Sequence, residues 1–533
     1  MTYDIAIRNA EVIDGSDSPP FSSDVAVKNG RIVKIGSLGS QAAEQDLEAA
    51  ELTLSPGFID SHSHADLVFA FGDEEHEKLR MGVTSEIIGQ CGFSVYPLSA
   101  EYASLRQQSM SGFLPGRSLS WTWSNLSEYK AFVEKNGLTH NVIPLVGHGS
   151  IRQAVSGNSH LKPSPEQLNQ MRRFLEETIK AGAYGLSSGL IYPPGCFSDA
   201  DELISLCQVA ANNRGFYSTH IRGESAVLID AALNEALKVG QIVGLPIHIS
   251  HLKVIGLREQ DRNSIVQVLE KIDLARAEGT DVSFDCYPYT KGSTLLSALL
   301  PLWAHQGGTE GLLDRLQSTQ QRKKIRSSIE ASDFEGENWL KTCGFKAVTI
   351  SSVPDQSFKS YVGRDLHEIA SETGRDPYDE LFDLLIRARG NIFMVFSMLR
   401  TEDMKIAIKH PLSMIGTDAL PCPPGSGKPH PRGYGTFPRI LGRYVRDEDL
   451  MPLTTAVHKM TGAPAARFGL KNRGLIAEGM WADIVLFNKH TIRDHSTYED
   501  PRQYPNGISY VIVNGQVALK DGKIMATDCG RVL

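Results

Sequence analysis

At 533 residues the chain exceeds a single ordinary core, so two or more structural units are expected. Its 41% hydrophobic and 22% charged residues belong to a globular protein and exclude a disordered or fibrous one. A net charge of -8 is modest for this length and argues against a nucleic-acid partner.

The first 55 residues read as short strands between turns: "YDIAIRNAEVIDG", "DVAVKNGRIVKIG" and "LTLSPG". "MTYDIAIRNAEVIDG" alternates like a strand and does not read as a signal peptide, and no apolar run is long enough to span a membrane. The segment 474–533 repeats the β pattern with "ADIVLFN" and "GISYVIVNGQVAL". Residues 1–55 and 474–533 are therefore expected to meet in one small β-sandwich domain.

The intervening residues 56–473 alternate strand and helix signals, the pattern of a parallel α/β domain. Candidate strands, in order, are "GFIDSHSH", "TSEIIGQCG", "NVIPLVGH", "AYGLSSGLIY", "FYSTHIRG", "PIHISHLK", "VSFDCYPYT" and "SMIGTDAL". "SPEQLNQMRRFLEETIKAG" is a helix with a Ser-Pro start and a Gly stop. This strand count fits a closed (β/α)8 TIM-like barrel, whose chemistry lies at the C-terminal strand ends. The rhythm breaks at about 295–395, which reads as an inserted subdomain with "FMVFSML" an ambiguous extra strand.

Polar residues collect at those strand ends: His62 and His64, two apart and so on one face of an extended chain, then Cys91, His220, His251 and Asp418. Singly, a strand-end His is usually a hydrogen-bonded structural residue, and a Cys is a small buried hydrophobe. Together, imidazoles, a thiolate and a carboxylate suit zinc, which leaves a position open when it is catalytic. "HISH" also offers His248, and His148 ends another strand; the latter is expected to be structural. Cys196, Cys286 and Cys422 are expected to pack. The seven cysteines are scattered and odd in number, so no disulfide framework follows and a reducing, cytoplasmic setting is expected.

"PGFIDSHSH", "GTDA" and "GLIAEGMWADIVLFN" resemble the amidohydrolase superfamily over essentially the whole chain. "GQCGFSVYPL", "GLSSGLIYPPG", "STHIRGE", "ISHLK", "DCYPYTKGST" and "HPRGYGTFPR" narrow the resemblance to the N-acyl-D-amino-acid deacylases, or D-aminoacylases. Many superfamily members bridge two metals with a carboxylated lysine on the fourth strand. "AYGLSSGL" has none, and Lys180 belongs to the preceding helix. The resemblance instead implies a tight zinc site from Cys91, His220 and His251. It implies a weaker one from His62, His64 and Asp418, with Cys91 able to bridge. The match to "ISHLK" selects His251 over His248.

The resemblance further implies that Arg432, Lys253, Tyr287 and Ser293 hold the substrate carboxylate and that Tyr192 lines its pocket. An arginine fork, an ammonium and hydroxyls are suitable partners for a carboxylate. Asp418 would act as general base, then general acid, in hydrolysis of an N-acyl-D-amino acid. Alternatives are a deacylase selective for N-acyl-D-glutamate or D-aspartate, and a cyclic-amide hydrolase of the hydantoinase or dihydroorotase kind. The missing fourth-strand lysine and the Cys91 motif count against the latter. The presence of every expected ligand counts against a non-catalytic scaffold. Side-chain preference, acyl preference and oligomeric state are left open.

Overall fold

The computed structural model describes residues 2–72, 75–113, 119–257, 261, 264–331, 336–354 and 356–533. The parts of the expected insertion at 332–335 and 355 lie outside the described residues.

The N-terminal strands are β1 (Tyr3–Val12), β2 (Phe21–Lys28), β3 (Arg31–Ile35), β4 (Ala43–Glu48) and β5 (Thr53–Pro56). Next come β6 (Phe58–Asp60), β7 (Val83–Ile88), β8 (Asn141–Pro144), β9 (Val146–Gly147), β10 (Gly185–Gly189), β11 (Phe216–His220), β12 (Ile247–Ile249) and β13 (Val282–Cys286). They are followed by β14 (Lys291–Leu295), β15 (Val348–Ser352), β16 (Phe393–Ser397) and β17 (Ser413–Ile415). The chain finishes with β18 (Ile484–Phe487), β19 (Ile508–Val513), β20 (Gln516–Lys520) and β21 (Lys523–Ile524).

Strands from both ends of the chain share one nine-stranded sheet, in the order β21-β20-β19-β18-β5-β1-β2-β3, with β4 also paired to β1. The join is the antiparallel pair β5–β18, which sets Pro56 opposite Ile484 and Thr53 opposite Phe487. Alternation explains the burial: Ile5, Ile7, Val25, Val27, Leu54 and Ile484 form one apolar cluster.

The middle strands pair in parallel, β6-β7-β8 in one run and β9-β10-β11-β12-β13-β17 in the other. Only Leu145 separates β8 from β9, so the runs are continuous there. At the far end, Ser61 N donates to Ile415 O at 3.4 Å, Asp418 N to His62 O at 2.8 Å and His64 N to Ala419 O at 3.2 Å. These bonds tie β17 back to β6. Every residue of β7 and of β13 is buried, as expected of strands covered on both faces.

The helix Pro165–Lys180 follows its sequence signals. Ser164 caps it, accepting from Gln167 N, while the Gln167 side chain accepts from Ser164 N at 2.9 Å. It turns Met171, Leu175 and Thr178 inward, one helical face. Lys180 closes the helix at the surface, paired with Glu176 at 2.6 Å. The segment "FMVFSML" contains β16, which is the middle strand of a separate antiparallel sheet, β14-β16-β15. That sheet has its own apolar cluster, including Ile350, Leu381, Phe382, Leu385 and Phe396.

Candidate metal centre

His62 and His64 follow β6, Cys91 follows β7, His220 ends β11, His251 follows β12 and Asp418 follows β17. All lie at C-terminal strand ends, and the parallel pairing brings those ends together. Cys91 is at the middle. Its Sγ lies 3.3 Å from His62 Nε2 and 3.3 Å from His251 Nε2. Three overlapping triads have ligand atoms within 4.8 Å of one another: His62, His64 and Cys91; Cys91, His220 and His251; His62, His251 and Asp418. Asp418 Oδ1 is 3.2 Å from His64 Nε2 and 3.7 Å from His62 Nε2.

The backbone bends sharply to achieve this. Cys91, His251 and Asp418 have φ of 53°, 34° and 49°, in the left-handed region that residues with a Cβ seldom occupy. Each such residue costs on the order of 1–3 kcal/mol, and such strain persists where the surroundings enforce it. Here it turns three side chains back over the strand ends. Small neighbours permit the approach: a Cβ on Gly189 would sit 2.1 Å from Cys91 O, and one on Gly416 2.7 Å from His62 Cβ.

The donor set fits a divalent cation. Both ring nitrogens of His220 and Nδ1 of His64 are buried without a hydrogen-bond partner among the described residues, which is costly unless something else satisfies them. Burial alone would raise the Cys91 thiol, but His62 and His251 outweigh it and hold it well below its ordinary value, as the thiolate. Burial pushes His220 down, toward the neutral ring that binds metals.

Partners one step out fix the ligands. Asp285 accepts the backbone N–H of His251 at 2.9 Å and lies 3.3 Å from His62 Nδ1 and 2.8 Å from His248 Nε2. His248, which also meets Ser283 Oγ at 2.8 Å, therefore braces Asp285 and is in none of the triads. Glu224 Oε1 accepts from Lys253 Nζ at 2.7 Å and stands 3.1 Å from His251 Nδ1, which Lys253 Nζ also approaches at 2.7 Å, so the pair holds the His251 ring in place. Burial would raise Glu224, but Lys253 and His220 bring it down to about 2. Beneath the strand ends, buried Lys78 binds Asp60, reaches Thr417 Oγ1 at 2.7 Å and lies 3.3 Å from Glu86. Asp60 in turn accepts the backbone N–H of His62 at 3.2 Å and of Thr417 at 2.8 Å.

A cavity of about 40 Å³ adjoins this cluster. His64, Cys91, His220, His251, Asp418, Lys253, Tyr287, Ser293 and Tyr192 all line it. His62 and Arg432 do not: His62 is wholly buried beside Cys91, and Arg432, 1% exposed, stands behind Asp418. Arg432 Nη1 donates to Asp418 Oδ2 at 2.6 Å and Nη2 to Ser293 O at 3.2 Å. Its guanidinium lies 4.9 Å from the Tyr287 ring centre. Burial would raise the Asp418 carboxyl, but Arg432 and His251 hold it well below the carboxylate range. Tyr287 OH is buried and unpartnered among the described residues, whereas Tyr192 OH meets Thr294 Oγ1 at 2.9 Å.

The remaining sequence candidates lie outside this cluster. His148 Nε2 pairs with Glu202 at 2.7 Å. Cys196 and Cys286 are buried thiols that burial pushes up to about 12. Cys422 meets Ser426 Oγ at 3.5 Å. Asp285, Glu224 and the Lys78–Asp60 pair were not singled out from sequence. Asp285 was findable, because Ser283, Asp285 and Tyr287 alternate onto one face of a strand.

Residues 364–519 match the amidohydrolase family. The chain is 33% identical over 533 residues to a D-aminoacylase of Alcaligenes xylosoxydans xylosoxydans, covering 100% of this chain and 97% of that one. It is also 33% identical to an N-acyl-D-aspartate deacylase of the same organism, covering 99% and 95%. The crystal structure of an N-acyl-D-glutamate deacylase from Bordetella bronchiseptica, complexed with zinc and a phosphonate inhibitor, superposes with a TM-score of 0.83 at 29% identity over 100% of both chains. Such identity along the full length, with a thiolate among the histidines in place of a fourth-strand lysine, makes this chain a member of the D-aminoacylase family of amidohydrolases.

Proposed function

We propose that the protein hydrolyses N-acyl-D-amino acids to a carboxylate and a free D-amino acid, using a bound divalent cation. The observation that carries this reading is the placement of Cys91, His220 and His251 within 4.8 Å of one another at the wall of a cavity that Lys253, Tyr287 and Ser293 also line. We assign these three to a tight zinc site, and His62, His64 and Asp418 to a weaker one that Cys91 can bridge. The strand order and the β17–β6 bonds support a (β/α)8 barrel over residues 56–473 with an insertion at about 295–395. The shared terminal sheet supports a small β-sandwich domain from 1–55 and 474–533. Among the described residues no helix is long and apolar enough to cross a membrane. All seven cysteines are free, which supports a reducing, cytoplasmic setting.

Zinc, when bound, supplies Lewis acidity toward the acyl carbonyl and an acidified water. Asp418 accepts the proton of the attacking water, since its carboxylate reaches into the cavity and Arg432 keeps it ionised. It then delivers that proton to the departing amide nitrogen, so the amine leaves neutral. Lys253, Tyr287 and Ser293 receive the substrate's α-carboxylate at the cavity wall, with Arg432 adding its charge from behind. The handedness of the product tests the reading. Racemic N-acetylmethionine, followed by chiral chromatography, should release D-methionine; release of the L form, or of both equally, overturns it.

A further inference from the structure

Two loops at the strand ends are stitched together beside the metal ligands. The one after β11 carries Glu224, and the one after β12 carries Lys253. Ile255 N donates to Glu224 O at 2.7 Å and Ala226 N to Ile255 O at 3.2 Å, while Glu224 Oε1 holds Lys253 Nζ at 2.7 Å. That leaves the backbone N–H groups of Glu224 and Ser225. Both residues are buried, where an unpaired N–H is costly. Neither N–H donates to a backbone carbonyl among the described residues. Glu337 Oε1 takes both, that of Glu224 and, at 2.8 Å, that of Ser225. A glycine permits the approach: a Cβ on Gly223 would sit 3.3 Å from that oxygen and 2.5 Å from Leu228 Cβ.

Glu337 reaches this loop from a different part of the molecule. It stands just before the short helix Trp339–Cys343, which Asn338 caps by accepting from Lys341 N at 3.1 Å. Trp339 and Leu340 belong to the apolar cluster of the β14-β16-β15 sheet, and the Trp339 ring stacks on Phe396 of β16 with centres 5.6 Å apart. A lysine ammonium rides on a flexible four-carbon stem, so its position is set by what holds it. Here the contacts run from Phe396 through Trp339 and Glu337 to the backbone of Glu224, and from the Glu224 carboxylate to Lys253 at the cavity wall.

We propose that Glu337 is a positioning residue: by fixing the backbone of Glu224 and Ser225 it sets Glu224, and through it the Lys253 ammonium, where the substrate's carboxylate is received. This rests on the hydrolase reading above.

The experiment compares N-acetyl-D-methionine with N-acetyl-D-methioninamide, which lacks the carboxylate, on zinc-loaded enzyme of matched metal content. Glu337→Ala should lower kcat/KM for the free acid on the order of tenfold, chiefly through KM, and for the amide by less than about threefold. Glu337→Gln, which keeps an oxygen for the two N–H groups, should restore the wild-type preference for the acid to within about threefold. A lost melting temperature with an unchanged acid-to-amide ratio would leave Glu337 a purely structural role and overturn the proposal. So would Glu337→Gln behaving like Glu337→Ala. Hydrogen exchange on the wild type decides the matter even where a variant fails to fold. Because coupling is reciprocal, D-methionine should slow exchange of the 221–228 segment more than D-methioninamide does; equal effects of the two would overturn the proposal. Cleavage of neither substrate by the wild type instead overturns the hydrolase reading beneath it.

Discussion

Replacing Lys78 with Met should destabilise the protein by about 3 kcal/mol at pH 7, within the 3–5 kcal/mol range for stranding a buried ion-pair partner. Lys78 is 4% exposed, and both Asp60 and Glu86 depend on its charge. The lower end applies because each carboxylate keeps other partners. Asp60 retains the Thr417 N–H at 2.8 Å, the Thr417 hydroxyl at 2.7 Å and the His62 N–H at 3.2 Å, and Glu86 retains His140 at 2.7 Å. The loss should depend on pH with a definite sign. In the wild type, burial would raise Glu86, but Lys78 and His140 lower it from 4.5 to about 2. Its contribution is therefore complete above pH 4.5 and lost as pH falls toward 2. Without Lys78, burial is less opposed, and Glu86 gains stability by protonating. The gap between the two proteins should shrink steadily from pH 7 to pH 4. At the alkaline end, Asp60 and Glu86 outweigh burial and raise Lys78 from 10.5 to about 12, so wild-type stability fades as pH climbs through that interval. Urea titrations followed by tryptophan fluorescence, at matched metal content, give the midpoints. Adding Glu86→Gln to Lys78→Met should recover part of the loss at pH 7. Equal midpoints at pH 7, or a gap as wide at pH 4 as at pH 7, would refute the reasoning.

Three further outcomes are expected at the metal centre. Cys91→Ala should abolish tight zinc binding by elemental analysis and turnover with it, while His62 or His64 variants retain more zinc; full zinc and activity in Cys91→Ala would remove the core of the assignment. Asp418→Asn should keep the tight zinc and lose on the order of 10²–10⁴-fold in kcat; near-normal kcat would point to another base. Arg432→Ala should lower kcat/KM for free-acid substrates several-fold more than for the corresponding N-acyl amides, because its charge acts on the carboxylate from behind the cavity wall without a direct hydrogen bond. A loss common to both substrates is also expected, because Arg432 steadies Asp418; an equal loss on both, with no difference, would leave it only that structural role.

Much of the architecture was legible because it rests on local periodicity. Each of the middle strands read from sequence is present, and the helix Pro165–Lys180 begins at the Ser-Pro signal. The cluster of His62, His64, Cys91, His220, His251 and Asp418 could be anticipated because strand ends are marked by adjoining turns. What surrounds the cluster was less accessible. Lys78 lies on a short helix of charged residues, Glu77–Arg80, and nothing local says that it turns inward to Asp60. Glu337 meets Glu224 across more than a hundred residues of chain. Arg432 was expected at the substrate and lies behind Asp418, a distinction between two carboxylates that sequence spacing does not carry.

The pairing of β5 with β18 bears on the order in which the protein can be made. β6, with His62 and His64 after it, leaves the ribosome early, yet its edge partner β17 and the strand β18 beside β5 are translated hundreds of residues later. Until then the thiolate and most of the imidazoles exist on a nascent chain whose apolar strands lack their final neighbours. Contacts so distant in sequence form slowly and leave exposed surface meanwhile. Zinc that reached Cys91 and the early histidines before Asp418 was in place would meet a different, incomplete set of ligands. Loading should therefore follow completion of the chain, and yield in a cell should respond to chaperone supply as much as to zinc.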